Sequence, residues 1–246
     1  FYDPQYTMSI TINGQLLLCM LAEWLTQDRD GTHSNDAVKM VQINTDGLTF
    51  LVKKTHVQWM RDVCAHWENH TGLTLEDARY KSMFIRDVNS YLAVKDGGGV
   101  KRIGAYGYVT PMENPGKPEC GWHQDHSNIV VRKAAEAAMV NGADVSDFIM
   151  KHTDPFDFQA SVKVPRSSRL EWGDEIVQNT SRYYISTVGR HLTKVMPPLA
   201  KKPDVERRIG VEKGFTVQLT NDMDHFNGGT INWYYYIEET KKLIVS

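Results

Sequence analysis

Two short apolar segments, Val38 to Ile43 and Leu48 to Val52, are separated by the tetrapeptide Asn44-Thr45-Asp46-Gly47. Asp-Gly between alternating runs is among the strongest local hairpin signals, and the tight turn it favours calls for a positive φ. A helical stripe flanks the hairpin on each side. Before it, Tyr6, Ile10, Leu17, Leu21 and Trp24 recur at helical spacing and predict one helix over 4–27. After it, Val57, Met60, Cys64 and Trp67 form a second stripe that stops at Gly72. A helix–hairpin–helix order of this kind commits the first third of the chain to an α+β arrangement with a polar turn tip. Asn13 and Gly14 interrupt the first stripe, and a glycine in mid-helix, costing about 1 kcal/mol, leads one to expect a close approach to the backbone there.

Downstream, the pattern predicts strands over Ser82 to Val88, Tyr91 to Val94 and Val100 to Tyr106, with Asp96-Gly97-Gly98-Gly99 turning the chain. The polar stretch 28–36 reads as a loop. Residues 110–121, with three prolines and two glycines, read as a linker, which divides the chain into 1–109 and 122–246. Ser127 is expected to cap a helix through Asn141 that stops at Gly142, and Asp144 to cap a short second one. Residues 160–246 read as strand-rich, with strands over Arg182 to Thr187, Phe215 to Leu219 and Ile231 to Ile237.

With 41% hydrophobic residues in 246, the chain has apolar mass for one or two cores. Its uninterrupted apolar runs, such as Leu16 to Ala22, fall short of the roughly 20 residues of a membrane span, and no span is expected. Twenty-eight Lys and Arg against 30 Asp and Glu give a net charge of -2, which lacks the basic footprint of a typical nucleic-acid binder. Three widely spaced cysteines argue against a disulfide framework, and Cys19 and Cys64 read as inert core thiols. The start Phe1-Tyr2-Asp3-Pro4 reads as an internal position, so upstream sequence is expected.

Asp46 is the candidate for chemistry. A carboxylate at the tip of a rigid hairpin is open to water, Mg²⁺ or phosphate, although Asp-Gly turns are common in ordinary hairpins too. Its neighbourhood adds specificity. Ser9-Ile10-Thr11-Ile12-Asn13-Gly14-Gln15-Leu16 followed by Val41-Gln42-Ile43-Asn44-Thr45-Asp46-Gly47 resembles the stretch of family B DNA polymerases that leaves the fingers and enters the palm. There a helix with an Ile-Thr-x-x-Gly-Arg/Gln pattern precedes a Tyr-Gly-Asp-Thr-Asp-Ser hairpin. The likeness is nearest to the bacteriophage branch and runs on in the family's order. Tyr80 to Tyr91 lies where the family has its Lys-x-Tyr strand, and Trp122 to Ser127 with Lys133 to Ala138 resembles the opening of the thumb.

The resemblance implies an α+β chain in two parts: a partial palm, an antiparallel sheet with packed helices, over 1–109, and a mixed helix/strand thumb over 122–246. It implies DNA-directed DNA polymerisation by two Mg²⁺ ions, with Asp46 as one metal-binding carboxylate and Asn44, Thr45 and Gly47 as its hairpin neighbours. Primer–template DNA and a deoxynucleoside triphosphate are the implied partners, and the cytoplasm of an infected bacterium the implied location. Asn89, Tyr91, Lys101, Arg102, Arg132 and Lys133 are the implied DNA contacts. Departures accompany the likeness. Asn44 stands in place of the first hairpin Asp, Gly47 in place of Ser, and Asn89 in place of the Lys of Lys-x-Tyr, which leaves a hydrogen bond where an ionic grip would be. The family's other palm Asp, its fingers and its exonuclease match nothing here and would come from an upstream portion, without which the chain should be inactive.

Two other classes stay open: a non-catalytic DNA-binding piece of a split polymerase, and a metal-dependent nuclease. Cys120-x-x-His123-x-x-His126 offers three zinc-type ligands without a fourth, against loop packing or phosphate contacts. Arg166 to Arg169, Lys201-Lys202 and Arg207-Arg208 suit duplex phosphates or plain solvation. Tyr183, Tyr184 and Trp233 to Tyr236 suit base stacking, but aromatics in strands are ordinarily core.

Overall fold

The computed structural model describes residues 3–27, 37–108, 126–199 and 205–245. The polar loop 28–36, the linker 110–121, Cys120, His123, Trp122 and Lys201-Lys202 lie outside the described residues. Helices and antiparallel sheets alternate, so the fold is α+β. The chain divides into two compact units, Phe1–Lys81 with Lys95–Gly97, and Ser82–Val94 with Gly98–Ser246. The division falls inside a strand, at Lys81/Ser82.

The first unit has the expected order. Helix α1 (Pro4–Thr26) starts at Asp3, whose carboxylate accepts the Tyr6 N–H at 3.1 Å, with Pro4 at the first helical position. Strands β1 (Val38–Ile43) and β2 (Leu48–Val52) form an antiparallel hairpin with a register irregularity between Met40 and Gln42. Helix α2 (Val57–Thr71) ends at Gly72, which is left-handed at φ 72. Leu21, Leu25, Val38 and Trp67 make the buried centre, and the Trp67 indole N–H donates to the Leu17 carbonyl at 2.9 Å, which ties α2 to α1.

Three expectations for this unit change. A Cβ at Gly14 would meet nothing within 4 Å, so that glycine marks no close approach. Cys19 is exposed and not a core thiol, whereas Cys64 is half-buried and burial pushes its thiol pKa up. Among the described residues one helix, α1, is long and apolar enough to cross a membrane by length and composition. Searching for unbroken apolar runs overlooks it, because polar residues interrupt its first half, three of them hydroxyls that bond back along the helix: Thr7 to the Asp3 carbonyl, Ser9 to Gln5 and Thr11 to Thr7, at 2.9–3.0 Å.

The second unit opens with β3 (Tyr80–Asp87), β4 (Ser90–Lys95) and β5 (Val100–Ile103), a three-stranded sheet in that order. Residues 104–106 leave the expected strand for a 3-10 turn. Gly104 begins that turn at φ 61, where a Cβ would collide with the Asn89 carbonyl, so only glycine lets the β3–β4 connection lie this close.

Helix α3 (Ile129–Asn141) and α4 (Val145–Lys151) follow, and Gly142 and Asp144 stop and cap as expected. Asn128, not Ser127, is the N-cap of α3. The Ser127 hydroxyl instead accepts the Ser161 N–H at 3.1 Å. Two antiparallel sheets complete the unit. The first has the order β12-β9-β6, from β6 (Gln159–Lys163), β9 (Thr180–Ser186) and β12 (Thr216–Leu219). The second has the order β11-β10-β7-β8, from β7 (Arg169–Trp172), β8 (Glu175–Val177), β10 (Leu192–Met196) and β11 (Arg207–Gly210).

The last expected strand is a helix, α5 (Trp233–Val245). The Asn232 carboxamide oxygen accepts the Tyr235 N–H at 3.2 Å and caps it, and Tyr236, Thr240 and Leu243 are buried at helical spacing. Tyr236 is fully enclosed. Its hydroxyl donates to the Phe158 carbonyl at 2.6 Å and accepts the Ile185 N–H at 3.0 Å, while its ring meets Phe158 edge-on.

Candidate functional site

The hairpin tip is built by short-range bonds. Asn44 N–H donates to the Gly47 carbonyl at 3.1 Å, and the Asn44 side-chain oxygen faces the Asp46 N–H at 3.4 Å. Gly47 is not among the glycines at positive φ, so this four-residue connection closes through the Asn44 side chain and not through the left-handed Asp-Gly turn expected of it. Asn44, Thr45, Asp46 and Gly47 thus sit together on one turn. Thr45 and Asp46 are exposed, and the Asp46 carboxylate has no hydrogen-bond or salt-bridge partner among the described residues.

A carboxylate of this kind suits a hard cation such as Mg²⁺. One is half of what a two-metal site needs, and the described residues hold no group of three His, Cys, Asp or Glu around a common point.

The expected DNA contacts lie in the second unit, on β4, β5 and α3. Asn89 is exposed at the β3–β4 turn, where its N–H is held by the Asp87 carboxylate at 2.8 Å. Tyr91 is buried, with the exposed Lys101 ammonium 6.0 Å from its ring centre. The other three cations are engaged inside the fold. Arg102 grips Glu136 through two nitrogens, and its guanidinium lies 4.4 Å over the Tyr108 ring. The pair is nearly buried, at 10% and 13% side-chain exposure, so Arg102 fastens β5 to α3. Tyr108 donates to the same carboxylate at 2.8 Å, and burial, then that carboxylate, push its phenol pKa well up. Arg132 donates to the Gly107 carbonyl at 2.7 Å.

Lys133 belongs to a cluster that the sequence pattern did not single out. Its ammonium donates to Asp157 Oδ2 at 2.5 Å, and His152 Nε2 meets the same oxygen at 2.5 Å. Asp157, 4% exposed, therefore joins α3, the end of α4 and the turn before β6. Burial by itself would raise its pKa, but the bonds from His152 and Lys133 and the Lys133 charge outweigh burial and hold it below the usual range. A depressed carboxyl stabilises the fold above its ordinary titration range, and that stability is lost as pH falls through the folded value. We expect Asp157→Asn to cost about 3 kcal/mol in urea unfolding at pH 7, as for a broken buried pair. The deficit should shrink as pH drops below about 4; a deficit that stays constant to pH 3 would contradict the role of this carboxylate.

The other basic and aromatic candidates are mostly structural. Arg169 binds Glu206 through both terminal nitrogens at 2.8 Å and also Glu171, which Arg208 reaches from the other side. Arg207 donates to the Pro197 carbonyl at 3.1 Å, and Arg166 is exposed. Tyr183, Tyr184, Tyr235 and Tyr236 are core residues, while Tyr234 is 67% exposed. Glu212 accepts from the Tyr183 and Tyr235 hydroxyls at 2.8 and 3.2 Å. The sequence matches no protein-family model and no curated protein.

Proposed function

We propose that the chain is the C-terminal palm and thumb part of a phage-type family B DNA polymerase, contributing Asp46 and primer–template contacts to templated nucleotidyl transfer. The observation that supports this reading is the exposed carboxylate of Asp46, without a hydrogen-bond or salt-bridge partner among the described residues, at the tip of a hairpin that shares one hydrophobic cluster with α1 and α2. In the proposed reaction the primer 3′-oxygen forms a bond to the α-phosphorus of a deoxynucleoside triphosphate, and the bond from that phosphorus to pyrophosphate breaks. Mg²⁺, when bound, neutralises charge on the attacking and leaving oxygens. The protein's share is to hold that charge in place, since phosphoryl transfer depends chiefly on position and electrostatics.

Asn89 and Lys101 are exposed and can meet phosphates, whereas Arg102 and Lys133 act by bracing β5 and α3. The chain alone should bind primer–template duplex with an affinity whose logarithm falls by about 0.9 per phosphate contact with the logarithm of salt concentration. Fluorescence anisotropy across a salt series measures this, and Lys101→Ala should flatten the slope by about one such contact. In the same solutions with Mg²⁺, no nucleotides should be released from the DNA. Release would assign Asp46 to a nuclease instead.

A further inference from the structure

Between β3, α3 and α5 of the second unit lies a cleft of about 380 Å³ with an uneven charge. Arg86, Arg132 and Lys242 line it against a single carboxylate, Glu239. The three cations come from three different elements, so chain neighbours do not explain their convergence. Arg86, at the end of β3, forms no salt bridge with a carboxylate among the described residues. Arg132 is oriented by its bond to the Gly107 carbonyl at 2.7 Å. Lys242 shares Glu239 at 2.7 Å, one turn back on α5.

Asn128, which precedes α3, also lines the cleft. Its side chain makes no cap bond to the helix, and its Oδ1 is buried without a hydrogen-bond partner. The first turn of α3 has no acidic residue. An uncapped helix start adds partial positive charge to the three cations already there.

We propose that this cleft binds a phosphate group, gripped by Arg86, Arg132 and Lys242, with the N–H groups of the first turn of α3 as further donors. The site lies within the second unit and does not depend on the polymerase reading. Two guanidinium forks and an ammonium suit a tetrahedral oxyanion with several acceptor oxygens. The phosphate can belong to a nucleic-acid backbone or to a free nucleotide or pyrophosphate; the chemistry of recognition is shared.

Isothermal titration of the full chain with pyrophosphate at low ionic strength tests the proposal. Arg86→Ala should weaken binding about tenfold, the usual value of a hydrogen bond to a charged group, and Lys242→Ala should weaken it too. Glu239→Gln removes the opposing carboxylate and should tighten binding, an effect that misfolding cannot imitate. Competition then assigns the source: displacement of pyrophosphate by duplex DNA identifies a backbone site, and displacement by ADP but not by duplex identifies a nucleotide site. Absence of pyrophosphate binding, or affinities unchanged in Arg86→Ala and Glu239→Gln, would overturn the proposal.

Discussion

Replacing Asp46 by alanine should slow primer extension about a thousandfold while leaving the fold untouched. Combined with a polypeptide that supplies the remaining palm carboxylate and the fingers of a phage family B polymerase, the Asp46→Ala chain should extend a primer at a rate lower by about a thousandfold. That is the scale on which removing one preorganised electrostatic group slows an enzyme. The carboxylate takes no part in the hydrogen bonds that close the turn, which run from the Asn44 and Asp46 N–H groups to Gly47 and Asn44 oxygens. The circular dichroism spectrum and thermal midpoint of the variant should therefore match the parent chain. Asn44→Ala is the complementary case: it should loosen the turn, shift the melting of the first unit and slow extension less. Extension at the parental rate by Asp46→Ala would remove this residue from the chemistry.

Tyr236→Phe should be the most damaging removal of a single atom in the second unit. The hydroxyl satisfies a buried carbonyl on Phe158 and a buried N–H on Ile185, and joins α5 to β9 and to the turn before β6. Phenylalanine keeps the ring contacts with Phe158 and Tyr235 but strands both backbone groups. Two unsatisfied buried groups cost about 3 kcal/mol together. For a unit of this size that is a fall of about 10 °C in thermal midpoint, readable by calorimetry. A loss below about 1 kcal/mol would mean that water replaces the hydroxyl.

Local periodicity carried much of the first unit. The stripes of α1 and α2, the hairpin between them and the stop at Gly72 are statements about residues three, four or seven apart, and they are legible without a fold. Where the reading departs from the structure, a short-range preference met a longer-range contact or a competing cap. Trp233 to Ile237 has strand composition, but the Asn232 cap and the burial of Tyr236, Thr240 and Leu243 on one face turn it into α5. That signal was present, since an Asn before an apolar run is a helix start. Ser127 and Asn128 are equally good cap residues by type, but the Ser127 hydroxyl is drawn to β6 and Asn128 takes the position.

The candidate site divides in the same way. Asn44 to Gly47 is contiguous, so its grouping was visible in the sequence. Arg102 with Glu136, Lys133 with Asp157, and Arg169 with Glu206 are 34, 24 and 37 residues apart, and no spacing rule announces them. Cations that read as surface groups for DNA are thereby committed to holding strands and helices together. The cleft of Arg86, Arg132 and Lys242 is equally silent in the sequence, because it is assembled from three elements by packing alone.

Templated nucleotidyl transfer through Asp46 is open to a direct test, primer extension by the reconstituted parent chain. A labelled primer–template with all four deoxynucleoside triphosphates and Mg²⁺ is incubated with this chain, with the complementing polypeptide, and with both. Templated extension is expected in the third mixture alone and is lost on chelation of Mg²⁺. Duplex bound without any extension in the combined mixture, or extension that is the same with and without this chain, would contradict it.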